Sequence, residues 1–132
     1  MAENTTKFSK IRETKAYDET TLYSSSISFL KIAYNDILNI EKYPRECFGT
    51  PLLKQINGII HIYKNAYKID DVNDKISKLT KLIEKLDVIG TDIKILKELD
   101  IITEKQYGVL ITKYGSIMTQ TVNFCNSLKK QQ

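Results

Sequence analysis

The chain has 132 residues, of which 42% are hydrophobic and 27% are charged, with a formal net charge of +4. These values are typical of one globular domain, and no apolar run approaches the roughly 18–20 residues of a membrane span, which excludes a membrane protein. The first fifteen residues are polar and lack the apolar core of a signal peptide, so we expect a flexible tail over residues 1–16 on a cytoplasmic protein.

The first predicted helix runs from about Glu19 to about Glu41. Its apolar side chains step along the sequence by four, three, four and three residues, which puts them on one helical face. These side chains are Tyr23, Ile27, Leu30, Tyr34 and Ile37.

Residues 42–49 are predicted to separate the first helix from the second. Pro44 disfavours helical geometry at the residue before it, and Gly49 can adopt dihedral angles that other residues avoid. Thr50 and Pro51 then have the pattern of a helix start, with threonine as the N-cap and proline at the first helical position, where its missing N–H costs nothing. The second helix is therefore expected to begin at Pro51.

The second helix has one apolar and one basic face. Its predicted buried residues are Leu52, Ile56, Ile59, Ile60, Tyr63, Ala66 and Tyr67. The residues that fall mostly on the other side are Lys54, His61, Lys64 and Lys68.

The third predicted helix, from about Asp71 to about Leu99, carries the longest apolar pattern of the chain. The spacing is close to a 3.5-residue repeat, so this helix needs helical partners along its length. Gly90 lies within the pattern and costs about 1 kcal/mol relative to alanine in a helix interior, so it marks a kink or a close helix crossing. The pattern consists of Val72, Ile76, Leu79, Ile83, Leu86, Gly90, Ile93 and Leu96.

A fourth helix begins at Thr103, which has the capping-box spacing to Gln106. Gly108 and Gly115 lie seven residues apart on one face of this helix, which indicates either close packing within the chain or contact with another subunit. Because short links join all the long helices, we predict an all-α fold, an antiparallel up-down-up-down four-helix bundle over residues 17–130. The inward residues of the fourth helix are Tyr107, Leu110, Tyr114, Ile117, Met118, Thr121, Phe124, Cys125 and Leu128.

The residues that carry chemistry are few and scattered. His61 is the only histidine, and Cys47 and Cys125 lack both metal-ligand spacing and a CxxC motif, so we expect two reduced thiols. The chain has no Glu-x-x-His motif for a di-iron site, no glycine-rich phosphate loop and no nucleophile elbow. We therefore predict no enzyme activity, no metal and no cofactor.

Positive charge is concentrated in two parts of the chain. Residues 42–68 contain five basic side chains against Glu46 alone, and residues 101–132 contain four against Glu104 alone. Such asymmetry favours an anionic partner, although surface charge also serves solubility.

Three features in fixed order resemble the family named "four helix bundle protein". They are the aromatic-proline-basic stretch Tyr43-Pro44-Arg45 followed by Gly49, the apolar face of the second helix, and the turn over residues 99–107 with its Ile-Thr-x-x-Gln-Tyr helix start. The resemblance covers about residues 17–130. The family includes proteins encoded within bacterial 23S ribosomal RNA intervening sequences and the accessory variability determinant (Avd) of diversity-generating retroelements.

This resemblance implies a basic homopentamer that binds nucleic acid and, in the retroelement branch, a reverse transcriptase. Five copies would multiply the charge of +4 per chain to about +20 per particle, a substantial field for a polyanion. Carried over by position, the nucleic-acid-binding residues would be Lys42, Arg45, Lys54, Lys64, Lys68, Lys113, Lys129 and Lys130.

Two functional hypotheses follow, together with a weaker third. The first is a non-catalytic, Avd-like accessory protein whose lysines and arginine contact phosphates without reading bases. The second is a protein-interaction scaffold of the intervening-sequence type, without strong nucleic-acid binding, whose basic face docks an acidic protein or a reverse transcriptase. The third, a bundle enzyme, requires a clustered site that the sequence does not show.

Overall fold

The computed structural model describes residues 20–132, and every regular element within that range is a helix. Helix α1 spans Thr21–Leu38, α3 spans Val72–Glu98 and α4 spans Glu104–Lys129. Helix α2 covers residues 42–67 in three continuous pieces, which are Lys42–Pro44, a π-helical segment Arg45–Gly49, and Thr50–Tyr67. The predicted tail at residues 1–16 lies outside the described residues.

Helix α1 begins where a threonine caps it and ends earlier than predicted. The Thr20 hydroxyl accepts a hydrogen bond from the Tyr23 backbone N–H at 3.1 Å, which satisfies one of the free donors of the first turn. The helix ends at Leu38, and residues 39–41 form the link to α2. The prediction of a helix to Glu41 was therefore three residues too long.

The prediction of a break over residues 42–49 is wrong, because this stretch is helical. Pro44 lies in the first turn of α2, where no intrahelical donor is needed. Thr50 is not an N-cap, since its backbone N–H donates to the Arg45 carbonyl five residues back. Pro51 follows this wider π-helical turn, which relieves the crowding that a proline ring imposes on the preceding turn.

The limits of α3 match the prediction, but its buried pattern does not. Asp71 caps the helix by accepting from the Asp74 N–H at 2.9 Å. Leu82 and Ile89 are fully buried although the predicted pattern omitted them, whereas Ile83 and Gly90 are only half-buried. The buried face is wider than a two-stranded heptad pattern because α3 packs against both α2 and α4.

Helix α4 begins with the predicted capping box. Gln106 donates its N–H to the Thr103 hydroxyl at 3.1 Å, and its side-chain oxygen accepts from the Thr103 N–H at 2.8 Å. The same side chain donates from Nε2 to Asp36 of α1 at 3.4 Å. One residue thus both caps α4 and joins it to α1.

The four helices enclose one apolar core. Among the described residues, α1 and α3 each contact α2 and α4, while α1 does not contact α3 and α2 does not contact α4. No described helix is both long enough and apolar enough to cross a bilayer. The largest fully buried side chains are Phe29, Ile37, Leu52, Ile56, Ile59, Tyr63, Leu79, Leu82, Leu86, Ile89, Ile93 and Leu96.

The surroundings of Gly90, Gly108 and Gly115 show which of the predicted close packing contacts occur in the structure. The close crossing predicted at Gly90 is confirmed, because a Cβ atom there would lie 2.6 Å from the Tyr114 ring. A Cβ atom at Gly108 or Gly115 would meet no atom of the described residues within 4 Å. The prediction of close packing at these two glycines is therefore wrong for the part of the chain that the structure describes.

Candidate nucleic-acid interface

The exposed face of α2 brings three of the predicted basic residues together. One side of this helix is buried in the core through Leu52, Ile56, Ile59 and Tyr63. The helical repeat then puts the intervening polar residues on the opposite side. Lys54, His61, Lys64 and Lys68 are all exposed there, as the sequence predicts.

The lysines of this face form no ion pair within residues 20–132. Residues 50–68 contain no aspartate or glutamate. The ion pair formed among the described residues lies elsewhere, between Lys97 Nζ and Glu104 at 3.4 Å. Lys54, Lys64 and Lys68 are therefore available to neutralise phosphates, which is the main source of affinity in sequence-independent binding.

An exposed aromatic ring lies next to this basic face. A groove of about 380 Å³ runs between α1 and α2, and Tyr34, Lys31 and Lys54 line it. Tyr34 is 51% exposed, so part of its ring is accessible from solvent. Because an exposed ring beside lysines can stack on an unpaired base, the groove has the components of a single-strand binding surface.

Lys42 and Arg45 lie at the start of α2, before the other three basic residues in the chain. Lys42 is exposed and Arg45 is half-buried. Twelve residues separate Lys42 from Lys54, which corresponds to about 18 Å along a helix. These two residues can extend the basic face toward one end of the domain.

The three basic residues predicted on α4 do not join the α2 face. Lys113 is half-buried, at the position midway between Gln106 and Gln120, whose side chains hydrogen bond to α1. Lys129 and Lys130 are exposed at the end of α4. Since α2 and α4 have no contact among the described residues, the predicted basic residues of α4 lie apart from those of α2.

Lysines of α3 flank α2 and were missed by the sequence analysis. Lys85 lines a second groove, shared by α2 and α3, together with Lys54. Lys78, Lys81, Lys85 and Val88 follow at three- and four-residue spacing, which puts them on one face of α3. The spacing alone predicts that these lysines share one face of α3. It does not predict that this face lies beside α2, which depends on how the two helices pack.

Lys97, unlike the exposed lysines of α2, contacts an acidic and an aromatic side chain of α4. Its hydrogen bond and proximity to Glu104 raise the pKa of its ammonium group above the ordinary value. The same Nζ lies 4.9 Å from the centre of the Tyr107 ring, within the range of a cation–π contact. Lys97 therefore serves the junction of α3 and α4.

The side chains that could bind a metal are scattered over residues 20–132. These residues contain no cluster of three or more histidine, cysteine, aspartate or glutamate side chains that could hold a metal ion. His61 and Cys47 are exposed on α2, whereas Cys125 is buried in the core. The arrangement is suited to binding through charge and an exposed ring.

No model of a protein family matches the chain, and neither does any curated protein or solved structure. The resemblance described above thus rests on the sequence motifs themselves.

Proposed function

We propose that this protein is a non-catalytic nucleic-acid-binding accessory protein. The observation that carries the proposal is the α2 face, where Lys54, Lys64 and Lys68 are exposed without carboxylates and Tyr34 lies beside Lys54. The lysines would contact phosphates, and the tyrosine would stack on an unpaired base. Such binding depends strongly on salt and little on sequence.

The proposed architecture is an antiparallel up-down-up-down bundle. Two hydrogen bonds between α1 and α4 support this orientation, because Gln106 pairs with Asp36 while the later Gln120 pairs with the earlier Ser25. Opposite chain order in such pairs is expected of antiparallel helices. The same holds between α2 and α3, where Gln55 donates to Asp92 at 2.7 Å and the earlier Lys75 of α3 donates to the carbonyl of the later Tyr67 of α2 at 3.4 Å.

We also propose that five copies assemble through the outer face of α4. Among the described residues, Gly108 and Gly115 have no packing partner for a side chain, and Val109, the residue after Gly108, is 42% exposed. Missing side chains let the backbones of two subunits approach closely. Because α2 does not contact α4, assembly through α4 would leave the basic face of α2 accessible.

The proposal includes membership of the four helix bundle protein family, on the motifs at residues 43–49 and 99–107. Within that family, an Avd-like role would add a reverse transcriptase as the protein partner. The charge of about +20 on a pentamer would then attract the nucleic acid on which the transcriptase acts.

A double charge reversal tests the nucleic-acid proposal. Lys64→Glu with Lys68→Glu is expected to weaken binding of a fluorescent 20-nucleotide RNA by more than tenfold at low salt, because attraction becomes repulsion. The matched control, Lys94→Glu with Lys105→Glu, makes the same change in net charge on exposed positions of α3 and α4. Equal losses in the two variants would show that only overall charge matters and would overturn the assignment of the site to α2.

A further inference from the structure

A second groove lies on the other side of Lys54, between α2 and α3. Its volume is about 370 Å³, and its floor is apolar, with Gly58, Ile59, Ile62 and Ile89. Val88 of α3 also lines it and is 52% exposed. Ile59 and Ile89 are themselves buried, so the accessible part of this apolar surface is Val88 together with the half-buried Gly58 and Ile62. It is distinct from the polar outer face of α2 and is not used by phosphate binding.

Gly58 leaves a depression in this floor. A Cβ atom at Gly58 would meet nothing within 4 Å among residues 20–132, so packing within that range does not require glycine there. Glycine in a helix interior nevertheless costs about 1 kcal/mol relative to alanine. The missing side chain therefore leaves room for a side chain that enters the groove from outside.

The charges along the groove define the partner that fits it. Lys54 lies on the α2 side and Lys85 on the α3 side, and no carboxylate is among the lining residues. Lys81 and Lys78 continue the α3 side at helical spacing. An occupant needs apolar side chains for the floor and negative charge on both of its flanks.

We propose that this groove binds one amphipathic helix of a partner protein, with apolar residues at i, i+4 and i+7 and carboxylates on both sides of that stripe. The groove extends over the eight residue steps from Lys54 to Ile62, which corresponds to about 12 Å or roughly two helical turns. A second copy of the same groove is a poor occupant, because it would bring Lys54 and Lys85 against their equivalents. A nucleic acid supplies phosphates but no aliphatic side chain for the floor.

The test is selection of 15-residue peptides from a random display library against the full-length protein. The expected peptides are acidic and carry the apolar i, i+4, i+7 pattern. Their affinity is then measured by fluorescence anisotropy on Gly58→Leu, which fills the depression, and on Lys85→Glu, which reverses the charge of one side. We expect each variant to bind the selected peptides at least about tenfold more weakly than the wild type does. Loss of one interaction at a well-buried contact is enough for such a change.

Asn57→Leu is the matched control, because Asn57 precedes Gly58 on α2 but lines the groove shared with α1. It is expected to bind the peptides as the wild type does. Circular dichroism checks the fold of Gly58→Leu, and Lys85→Glu keeps the test decisive if that helix is perturbed. An empty selection, peptides without acidic residues, or equal binding to wild type and Lys85→Glu would overturn the proposal.

Two further measurements separate this inference from the proposed function. RNA binding by Gly58→Leu should match the wild type, since the lysines are unchanged. A loss of RNA binding would mean that the groove is part of the nucleic-acid site. A smaller native mass for Gly58→Leu would mean that a second copy fills the groove, and either result would contradict an acidic helix as the occupant.

Discussion

The ring of Tyr114 on α4 fills the space beside Gly90 on α3. A Cβ atom at Gly90 would lie 2.6 Å from both Cζ and the hydroxyl oxygen of Tyr114, well inside van der Waals contact. Burial, together with the nearby Asp87, raises the pKa of the Tyr114 hydroxyl above its ordinary value. This crossing sets how closely α3 and α4 approach at the middle of the domain.

Gly90→Ala is predicted to lower the free energy of unfolding by about 1 kcal/mol, because displacing the ring costs more than the gain of about 1 kcal/mol in helix propensity. The matched change Gly58→Ala on α2, where a Cβ atom meets nothing among the described residues, is predicted to raise it by a similar amount. Urea denaturation at fixed protein concentration measures both. If Gly90→Ala is as stable as Gly58→Ala, the crossing does not restrict this position.

Ser26→Ala is predicted to stabilise the protein. Ser26 is fully buried in α1, and its hydroxyl has no hydrogen-bond partner among the described residues. Removing a buried polar group without a partner should raise the free energy of unfolding by about 1 kcal/mol. Ser25→Ala is the control, because that hydroxyl accepts from Gln120 at 3.2 Å and should not stabilise when removed. A destabilised Ser26→Ala would indicate that the hydroxyl is satisfied.

Asp36 is predicted to make stability depend on pH. Burial raises the pKa of its carboxyl group above the ordinary value, although the hydrogen bond from Gln106 opposes this. A raised pKa means that the folded state holds the proton more tightly, so stability falls as pH rises from about 4 through the raised value. Asp36→Asn keeps an acceptor for Gln106 without the charge.

The contribution of Asp36 is the difference between the unfolding curves of wild type and Asp36→Asn at several pH values. That difference should increase in favour of the variant between about pH 4 and neutrality. If the wild type instead gains stability relative to Asp36→Asn over this range, the folded state favours the carboxylate, and the prediction is wrong. An NMR titration of Asp36 measures the same shift directly.

The native mass in solution is predicted to be five times the 15.2 kDa of the chain. Light scattering behind a sizing column at physiological salt measures it. Gly115→Arg, which adds bulk and charge to the outer face of α4, should reduce the mass, whereas Asn57→Arg on α2 should not. A monomeric or dimeric wild type would contradict the pentamer and weaken the case for strong nucleic-acid binding.

Helical periodicity was sufficient to predict most of the fold, because each helix buries one face along its length. Several helix ends were also predictable, because the capping residues lie next to them in the sequence. Thr103 and Gln106 define the start of α4 by chemistry that is local in sequence. Residues 42–49 were mispredicted because Pro44 and Gly49 are local helix breakers, whereas the structure accommodates them by packing and by a wider turn. Gly49 packs so closely on α1 that a Cβ atom would lie 2.8 Å from Ile37.

The candidate site was predictable only in part. Exposure of Lys54, Lys64 and Lys68 follows from the period of α2 alone. The two grooves on either side of Lys54 depend on which helices pair, and periodicity carries no such information. For the same reason the sequence could not show that Lys113 belongs to a different surface from Lys54, or that Lys85 lies near it.

A lysine footprint of the complex with RNA tests whether the exposed face of α2 binds nucleic acid. The protein is acetylated at low salt with and without a 20-nucleotide single-stranded RNA, and the modified lysines are quantified by mass spectrometry. We predict that RNA protects Lys54, Lys64 and Lys68 while Lys94 and Lys105 react as before. Bound RNA that leaves Lys64 and Lys68 fully reactive would contradict the assignment of nucleic-acid binding to the exposed face of α2.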